Sequence, residues 1–477
     1  MISPTIAFSE AGAGRQEWHL AKCIARDIGL FRGPIFGYPP VILWEPVRFE
    51  RLREAWTAAI LGRREDAASH PMGVFVNIPF CSVQCGYCDY VTKVGTADSV
   101  AARYPQQIKE EIDLLELPDV TMDSLYLSGG NVALFPPRQL DRLLSILHAK
   151  FAFAKDATRN VGLSHTPVSR ETAEVFSRWG IKGAVIQVQT LDPNFSRRIQ
   201  RPLDPQGFAR TCEQLRWAGI SYLKVDWMVG LPEQPMEVFM ADLEEILRSG
   251  PDEVLVTPFH PGRYAPLWSL RNSDWHSGER LLESANILQR SEKVRVARQR
   301  TSIYHQLRGG AGARQEVPPS RERMSTLGLG YGAMSHIYGR LKYTRFTELV
   351  AGNSRSGREG GFRGAYGIAM SLEREKRRYV IERLSDRGEV DGESFEKVFG
   401  ASLSDAFGHE LKRLSAFGYL VNTPTGWQVP VRTRLYQSIV ASLLYERNFK
   451  SWFQKRRDLC PERYAGVERN LVEIYDH

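Results

Sequence analysis

A chain of 477 residues, 43% of them hydrophobic, has room for two or three domains and a large core. The first residues, MISPTIAFSEAGAGRQEWHLAK, contain no basic stretch followed by an apolar run, and no uncharged segment has the length that crosses a bilayer. The net charge of +8 is modest for this length, because acids are interleaved with the bases. These features argue against membrane and nucleic-acid partners and favour a cytoplasmic enzyme with a small-molecule substrate or a reductant as partner.

Residues 1–70 form an N-terminal extension in which two elements are predicted. The run GYPPVILWEP is rich in proline and predicts an extended segment, and RFERLREAWTAAILGRRED predicts a helix. The run that follows, MGVFVNIPF, predicts a strand, because β-branched and aromatic residues dominate it and Pro79 ends it.

Three cysteines follow this strand on one loop. Cys81, Cys85 and Cys88 lie in NIPFCSVQCGYCDY with the spacing C-x3-C-x2-C, so three thiolates can bind one 4Fe-4S cluster and leave one iron open. Three clustered thiols do not form a disulfide framework, and structural zinc requires a fourth protein ligand, whereas no further Cys or His follows within fifty residues. The pattern therefore favours a cluster over zinc. The remaining cysteines are isolated and are interpreted as ordinary thiols: Cys23, Cys212 and Cys460.

From residue 74 onward, short apolar runs alternate with helical patterns. Strands are predicted at SLYLSGG (124–130), KGAVIQVQTLD (182–192), ISYLKVDWMVGLP (220–232) and DEVLVTPF. Helices are predicted at PPRQLDRLLSILHAKF, FARTCEQLRWAG and MEVFMADLEEILRSG. This alternation implies parallel strands joined by crossovers, with active groups at the carboxyl ends of the strands. The cysteine loop follows the first such end.

The cysteine motif resembles the signature of the radical S-adenosylmethionine (SAM) superfamily, including an aromatic residue before the last cysteine, here Tyr87. IPFC…C.YCDY resembles more narrowly the branch that holds oxygen-independent coproporphyrinogen dehydrogenase (HemN), the haem chaperone HemW and related methyltransferases. The resemblance implies a partial (β/α)6 barrel and a 4Fe-4S cluster whose open iron chelates SAM. It also implies reductive cleavage of SAM to a 5′-deoxyadenosyl radical, with an electron from a flavodoxin- or ferredoxin-type reductant.

Several strand ends match residues that bind SAM in this branch. Gly129 and Gly130 match a glycine pair that lies against the methionyl amino group, although a tight turn explains such a pair equally well. Gln189 in IQVQTLD matches the glutamine of GVQSFD, and Arg201 in QRP matches an arginine that pairs with the SAM carboxylate. Asp226 in KVDWMVGLP matches an acid on the strand before GLP. With Tyr87, these residues are the predicted cofactor contacts.

The resemblance also predicts the domain organisation. The barrel spans residues 71–300, and a glycine-rich connection at 301–365 contains LGLGYGAMSHIYG, which matches LGLGPGAHS of the branch. A helical, winged-helix-like domain is predicted at 366–445, with a hairpin at GYLVNTPTGWQV, and a helical tail at 446–477. One predicted helix of that domain places four apolar residues on one face: Leu403, Phe407, Leu411 and Leu414. We interpret this C-terminal domain as a lid that covers the substrate rather than as a DNA-binding domain.

Several positions depart from the branch. Tyr90 stands where coproporphyrinogen dehydrogenases have a fourth cysteine, and the HNxxYW motif of haem chaperones is absent. Asn131 and Val132 replace a threonine and a proline, Gly162 replaces a glutamate that contacts SAM, and Met334 stands where the branch often has histidine. The core SAM residues are thus retained while residues of the pocket differ, which favours a different substrate.

The sequence therefore predicts a radical SAM enzyme that transfers a methyl or methylene group to an sp2 carbon of a specialised metabolite and binds two SAM molecules. This prediction covers class C methyltransferases and cyclopropanases. The alternative is a tetrapyrrole enzyme, either an oxidoreductase of the coproporphyrinogen III oxidase type or a haem-degrading enzyme. A non-catalytic haem-binding protein is the second alternative.

Overall fold

The computed structural model describes residues 38–39, 43–66, 70–88, 92–95, 98–164, 167–201, 205–229, 231, 233–258, 302–305, 322–347, 362–430 and 437–446. Tyr90, Cys23, Cys460 and nearly all of the predicted helical tail lie outside the described residues. No helix in the described ranges is long and apolar enough to cross a membrane.

The first part of the chain alternates strands and helices as predicted. Its strands are β1 (Glu45–Val47), β2 (Met72–Ile78), β3 (Phe80–Cys81), β4 (Lys93–Val94), β5 (Thr121–Gly129), β6 (Ala152–Ser164), β7 (Gly183–Val188), β8 (Tyr222–Val229) and β9 (Glu253–Pro258). Its helices are α1 (Phe49–Glu65), α2 (Asp98–Leu115), α3 (Pro137–Lys150), α4 (Arg170–Arg178), α5 (Pro193–Arg198), α6 (Pro205–Trp217) and α7 (Met236–Arg248), with a short 3-10 helix at Val132–Leu134.

Six parallel strands lie side by side in chain order: β2, β5, β6, β7, β8 and β9. A helix follows each of the first five in the described residues, which confirms the predicted partial (β/α)6 barrel. The helices pack their apolar faces on the sheet; in α3, for example, Leu140, Leu143, Leu144 and Leu147 are buried. Since the strands run in one direction, their carboxyl ends meet at one edge.

Strand β6 is the barrel strand that the sequence did not reveal. It runs for 13 residues, but no residue of its first half, AFAKDA, is buried, and only Val161, Gly162 and Leu163 near its end are buried. Lys155 and Asp156 interrupt the apolar residues of that half, so it carries no clear strand periodicity.

The described part of the glycine-rich segment forms strands of the same sheet. These are β10 (Ser302–His305), β11 (Ser325–Leu329), β12 (Met334–Ile337) and β13 (Leu341–Thr347), followed by β14 (Phe362–Ala369). β11 pairs in parallel with β2, and β12, β13, β14 and β1 continue the sheet in antiparallel order. Glycine is needed inside this hairpin, because a Cβ on Gly328 would lie 2.2 Å from the carbonyl oxygen of Met334. The glycines therefore allow close packing of strands and do not mark a linker.

Helix α1, which lies in the predicted N-terminal extension, packs against this sheet. Leu52, Trp56, Ala59 and Ile60 of α1 are buried in the main core, and the Trp56 indole donates a hydrogen bond of 2.7 Å to the hydroxyl of Tyr343 on β13. The predicted helix is therefore confirmed and belongs to the barrel domain.

The C-terminal domain has its own core, as predicted. Its elements are α8 (Leu372–Arg387), β15 (Glu389–Asp391), α9 (Gly392–Phe399), α10 (Leu403–Ala416), β16 (Val421–Thr423), β17 (Gly426–Gln428) and α11 (Gln437–Ser442). β17 lies between β15 and β16, so the predicted hairpin forms the wing of a winged-helix-like domain. The four apolar residues predicted on one face of α10 are all buried.

Candidate functional site

The cysteine loop lies at the carboxyl end of β2, the central strand of the main sheet. Phe80 anchors its start by stacking on Phe135 at a ring-centroid distance of 5.5 Å and meeting Tyr104 edge-on at 5.2 Å. Cys81 lies in β3, which pairs in parallel with β4, and the amide of Cys88 donates to the carbonyl of Cys85 at 3.0 Å. The loop is therefore fixed to the barrel at its start and folded back on itself between its last two cysteines.

The three thiols are half-buried and form no disulfide, and the charges of Cys85 and Cys88 act on Cys81. Burial, together with the charges of the neighbouring Cys88 and Cys85, raises the pKa of Cys81 to about 11, while Arg201 opposes the shift. In the described residues no three Cys, His, Asp or Glu side chains converge on the position of a single metal ion. A cubane differs from a single ion because each thiolate binds a different iron, so its ligands lie farther apart. The donor set thus fits a 4Fe-4S cluster, whose positive charge would hold these thiols as thiolates.

The predicted glycine pair brings the end of β5 against the root of this loop. The amide of Gly130 donates to Ile78 and the amide of Asn131 donates to Phe80, both at 2.8 Å. Gly129 has a φ of 121°, and a Cβ on Gly130 would lie 2.5 Å from the carbonyl oxygen of Phe80. Close backbone approach therefore explains the pair as a tight turn. Its contact with SAM stays a prediction.

Arg201 lies directly beside the cysteine loop. Its buried guanidinium donates to the hydroxyl of Tyr87, to Ser164 Oγ at 2.9 Å and to the Gln187 carbonyl at 2.9 Å, and its Nη1 lies 3.9 Å from Cys85 Sγ. Burial raises the pKa of Tyr87 well above its usual range, so this hydroxyl stays neutral. The structure thus joins Arg201, Tyr87 and the cysteines in one group.

The backbone before Arg201 is held in place from both sides. Gln200 adopts a left-handed conformation with a φ of 54°, which a non-glycine residue adopts at an energetic cost. The amide of Arg201 donates to the carbonyl of Ser196 at 2.9 Å, and the Ser196 hydroxyl donates to the carbonyl of Arg201. The amide of Gly86 in the cysteine loop donates to Ile199 at 2.8 Å. α5 and the loop therefore form one unit.

Gln189 follows the end of β7 and presents an unused acceptor. Its side chain is 6% exposed, and its Oε1 has no hydrogen-bond partner in the described part of the chain. A buried polar atom without a partner costs about 1–3 kcal/mol. A donor from a bound ligand would remove that cost, so this orphaned oxygen fits the predicted contact with SAM.

A buried carboxylate that the sequence reasoning missed holds the turn after Gln189. Asp242 of α7 accepts a hydrogen bond from Thr190 Oγ1 at 2.7 Å, from the Leu191 amide at 3.0 Å and from Gln234 Nε2 at 3.2 Å. Burial raises the pKa of Asp242 to about 6. The available signal was an acid on the apolar face of α7, since Phe239, Leu243 and Ile246 on either side are also buried.

We expect Asp242→Ala to weaken SAM binding by about 1–3 kcal/mol, because it leaves the Thr190 hydroxyl and the Leu191 amide without an acceptor and releases the turn that carries Gln189. Isothermal titration of the variant with SAM measures this loss.

Asp252→Ala is the matched control, because Asp252 accepts from the Leu223 amide at 2.6 Å and from Arg216 at 2.9 Å near the opposite end of β8. It should lower the melting temperature and leave SAM affinity intact. Parental SAM affinity in Asp242→Ala contradicts the prediction.

Asp226 on β8 lies close to two further charged residues. Lys224 Nζ lies 3.6 Å from Asp226 Oδ1 and 3.1 Å from Glu253 Oε1. Asp226 is the register partner of Gln187, whose carbonyl accepts from Arg201. Lys224 and Glu253 were not singled out from the sequence, because isolated charges in strands give no pattern.

The space next to Gly162 explains why this position carries no side chain. A Cβ there would lie 2.2 Å from Ser128 Oγ and 2.9 Å from the hydroxyl of Tyr126. Burial raises the pKa of Tyr126, Ser128 opposes the shift through a hydrogen bond, and the charges of Asp226 and Lys224 also act on the ring. Two hydroxyl groups therefore occupy the space where a side chain at this position would begin.

Comparison with known proteins agrees with this geometry. The family model of the radical SAM superfamily matches residues 76–247. The chain is 24% identical over 435 residues to oxygen-independent coproporphyrinogen III oxidase of Paracoccus denitrificans, which covers 87% of this chain and 95% of that protein. It is 26% identical over 177 residues to the heme chaperone HemW of Lactococcus lactis, and this match covers 37% of this chain and 46% of that protein.

Among solved structures, coproporphyrinogen III oxidase (HemN) from Escherichia coli superimposes with a TM-score of 0.65 at 20% identity, covering 85% of this chain and 96% of that chain. This likeness concerns the fold and agrees with the predicted barrel and C-terminal domain. The radical SAM domain thus begins in β2, directly before the cysteine loop, and the chain is similar over most of its length to oxygen-independent coproporphyrinogen III oxidase.

Proposed function

We propose that the protein cleaves SAM reductively at a cluster held by Cys81, Cys85 and Cys88 and uses the resulting radical to remove a hydrogen atom from a tetrapyrrole of the coproporphyrinogen type. The observation that carries the cleavage step is the group of three half-buried thiols beside the buried guanidinium of Arg201. Membership of the superfamily implies both the 4Fe-4S cluster and SAM. When bound, the cluster supplies the electron that breaks the bond between sulfur and C5′ of SAM.

The protein's own side chains would orient SAM for this step. Arg201 carries a positive charge that suits the carboxylate of SAM, and a charge-assisted hydrogen bond is roughly twice as strong as a neutral one. Gln189 offers its buried acceptor to a donor of the ligand. The carboxylate of Asp226 suits the hydroxyl or ammonium groups of SAM, and Tyr87 and the glycine pair Gly129–Gly130 border the same loop. Together these groups would exclude water from the reacting bond.

The tetrapyrrole substrate is supported by the relatives along the whole chain. The match to the oxidase of Paracoccus denitrificans covers 95% of that protein and 87% of this chain. It therefore includes the C-terminal domain region as well as the barrel. The concave side of the barrel differs locally, where Tyr126 and Ser128 fill the space over Gly162. We therefore propose a tetrapyrrole or a close analogue as the substrate class.

Methyl or methylene transfer to an sp2 carbon is the second candidate. The lack of a side chain at Gly162, together with Asn131 and Val132 at the start of the 3-10 helix, favours it. Asn131 is buried, and its Oδ1 accepts from the amides of Ala133 and Ser164. The Asn131 side chain thus holds the turn after β5 in place. Such an enzyme would bind two SAM molecules.

Product analysis distinguishes the two candidates. The reconstituted enzyme is incubated without oxygen with SAM, a reductant and coproporphyrinogen III, and the products are separated by liquid chromatography and mass spectrometry. The proposal predicts 5′-deoxyadenosine together with loss of the tetrapyrrole and no S-adenosylhomocysteine. Formation of S-adenosylhomocysteine with an unchanged tetrapyrrole would reject the substrate proposal in favour of methyl or methylene transfer.

A further inference from the structure

We propose that the glycine turn, residues 330–333 between β11 and β12, is a positioning element that fixes the root of the cysteine loop and thereby the geometry of the cluster. Asn77 and the buried ion pair of Glu111 and Arg345 hold this turn in place. The inference rests on the proposed function, because it concerns how the cluster that cleaves SAM is held.

The glycine turn lies at the same edge of the sheet as the cysteine loop. β11 pairs in parallel with β2, and Leu329 is the register partner of Val76. The next residues of the two strands, Gly330 and Asn77, are therefore neighbours, and Cys81 follows Asn77 by four residues. The turn thus borders the start of the loop that carries the thiols.

Asn77 joins the ends of three strands. Its side-chain amide donates to the carbonyl of Tyr331 in the glycine turn. Its Oδ1 lies against Gly129 at the end of β5, where a Cβ would overlap this oxygen. Its own carbonyl accepts a hydrogen bond from the hydroxyl of Tyr104. Asn77 therefore sets the spacing between β2 and the strand ends on both of its sides.

Tyr104 of α2 contacts both the glycine turn and the cysteine loop. Its ring meets Phe80 edge-on at a centroid distance of 5.2 Å. Gly330 has a φ of 89°, and a Cβ there would overlap the Tyr104 hydroxyl. Burial raises the pKa of Tyr104 well above its usual range, so the hydroxyl keeps the proton that it donates to the Asn77 carbonyl. Only glycine allows the turn to approach Tyr104 this closely.

A buried ion pair holds the other side of the glycine turn. The side chains of Glu111 and Arg345 are 3% and 2% exposed. Glu111 accepts from the amide of Gly330 at 2.8 Å, and Arg345 donates to the carbonyl of Gly328 at 3.4 Å. Because desolvation of two charges offsets most of their attraction, such a pair adds little stability over an apolar pair of similar size. An apolar pair would make neither of these backbone hydrogen bonds, so the specific effect of the ion pair is to place the turn.

The contacts of α2 connect the glycine turn to the thiols. Tyr104 and Glu111 lie seven residues apart, about two helical turns, so one face of α2 holds the turn and, through Phe80, the cysteine loop. A displaced turn would therefore move the root of the loop. The potential and the spectrum of an iron–sulfur cluster depend on the hydrogen bonds to its sulfurs and on its exposure to solvent, so both report such a movement.

Removal of the contacts that hold the glycine turn tests this inference. Asn77→Ala deletes the side-chain amide, and Glu111→Met/Arg345→Met replaces the ion pair by apolar side chains. In both variants we expect the reduced cluster to show altered g-values in electron paramagnetic resonance and a changed midpoint potential. The rate of SAM cleavage with dithionite, divided by the iron content, should fall about ten- to a hundredfold, because a small displacement of reacting groups is sufficient for such a loss.

The matched control acts on the opposite end of β2. Asp123 accepts from the Met72 amide at 2.8 Å and pairs with Arg63 at 2.6 Å, so this ion pair also holds the backbone of β2. Arg63→Met/Asp123→Leu should lower the melting temperature. It should leave the g-values, the midpoint potential and the cleavage rate per cluster at their parental values.

Parental g-values, potential and cleavage rate in both Asn77→Ala and Glu111→Met/Arg345→Met would overturn the inference, as would equal changes in the control. If Asn77→Ala does not fold, the double variant decides alone. A parent that loads a cluster but does not cleave SAM would refute the proposed function, whereas the g-values and the potential would still decide the role of the glycine turn. A parent that loads no cluster would refute both.

Discussion

We expect Cys81→Ala, Cys85→Ala and Cys88→Ala each to abolish loading of the 4Fe-4S cluster. The reason is that thiolates supply the protein ligands and the loop offers three of them, so removal of any one leaves two. Iron and sulfide analysis of the anaerobically reconstituted protein measures this loss, together with the broad absorbance near ~400 nm that iron–thiolate sites show.

Cys212→Ala is the matched control for these variants. Cys212 is also a free thiol, but it is buried in the main core on α6, and burial raises its pKa to about 12, which disfavours the thiolate that metals require. This variant should retain its full iron content. If each of the three loop variants still loads as much iron as the parent, the cysteines do not hold a cluster and the predicted cluster site is wrong.

We expect Arg201→Ala to weaken SAM binding by about 1.5–3 kcal/mol, the usual contribution of a hydrogen bond to a charged group. Arg201 also holds Tyr87, Ser164 and the Gln187 carbonyl, so its removal leaves buried polar groups without their donor. The melting temperature should therefore fall as well. Equilibrium dialysis with SAM and thermal unfolding, performed on the same preparation, measure the two effects separately.

Arg201→Lys separates charge from geometry at this position. Lysine retains the positive charge but has no planar guanidinium, so it cannot donate to Tyr87 and Ser164 at once. It should restore part of the SAM affinity and little of the stability. Gln189→Ala should cost less affinity than Arg201→Ala, because its hydrogen bond is neutral. Arg201→Ala with parental SAM affinity would show that Arg201 serves the loop alone.

The sequence predicted the barrel well because buried apolar residues recur along its parallel strands. In β7 and β8, for example, they alternate with less buried positions, so the type and order of these strands are visible in the sequence. β6 is not evident in the sequence because only three of its 13 residues are buried, and β11, β12 and β13 lie in a segment that the resemblance predicts as a glycine-rich connection. Glycine serves there to bring β11 and β12 together, which depends on tertiary packing.

The cysteine loop was predictable because its residues are close together in the chain, whereas the support for the site comes from distant segments. Asp242 follows Thr190 by 52 residues, and the group around Asp226 depends on the register of β8 with its neighbours. Gly162 was recognised as a departure from the branch, but the reason for it appears only where Ser128 and Tyr126 converge from β5. Such side-chain groupings require the register of adjacent strands, which local patterns do not specify.

Formation of 5′-deoxyadenosine tests the central claim most directly. The purified protein is reconstituted with iron and sulfide without oxygen, reduced with dithionite and mixed with SAM alone, and the nucleosides are quantified by mass spectrometry beside Cys81→Ala and Cys212→Ala. We expect the parent and Cys212→Ala to produce 5′-deoxyadenosine and methionine, and Cys81→Ala to produce neither. A fully loaded parent protein that binds SAM and yields no more 5′-deoxyadenosine than Cys81→Ala would contradict the account.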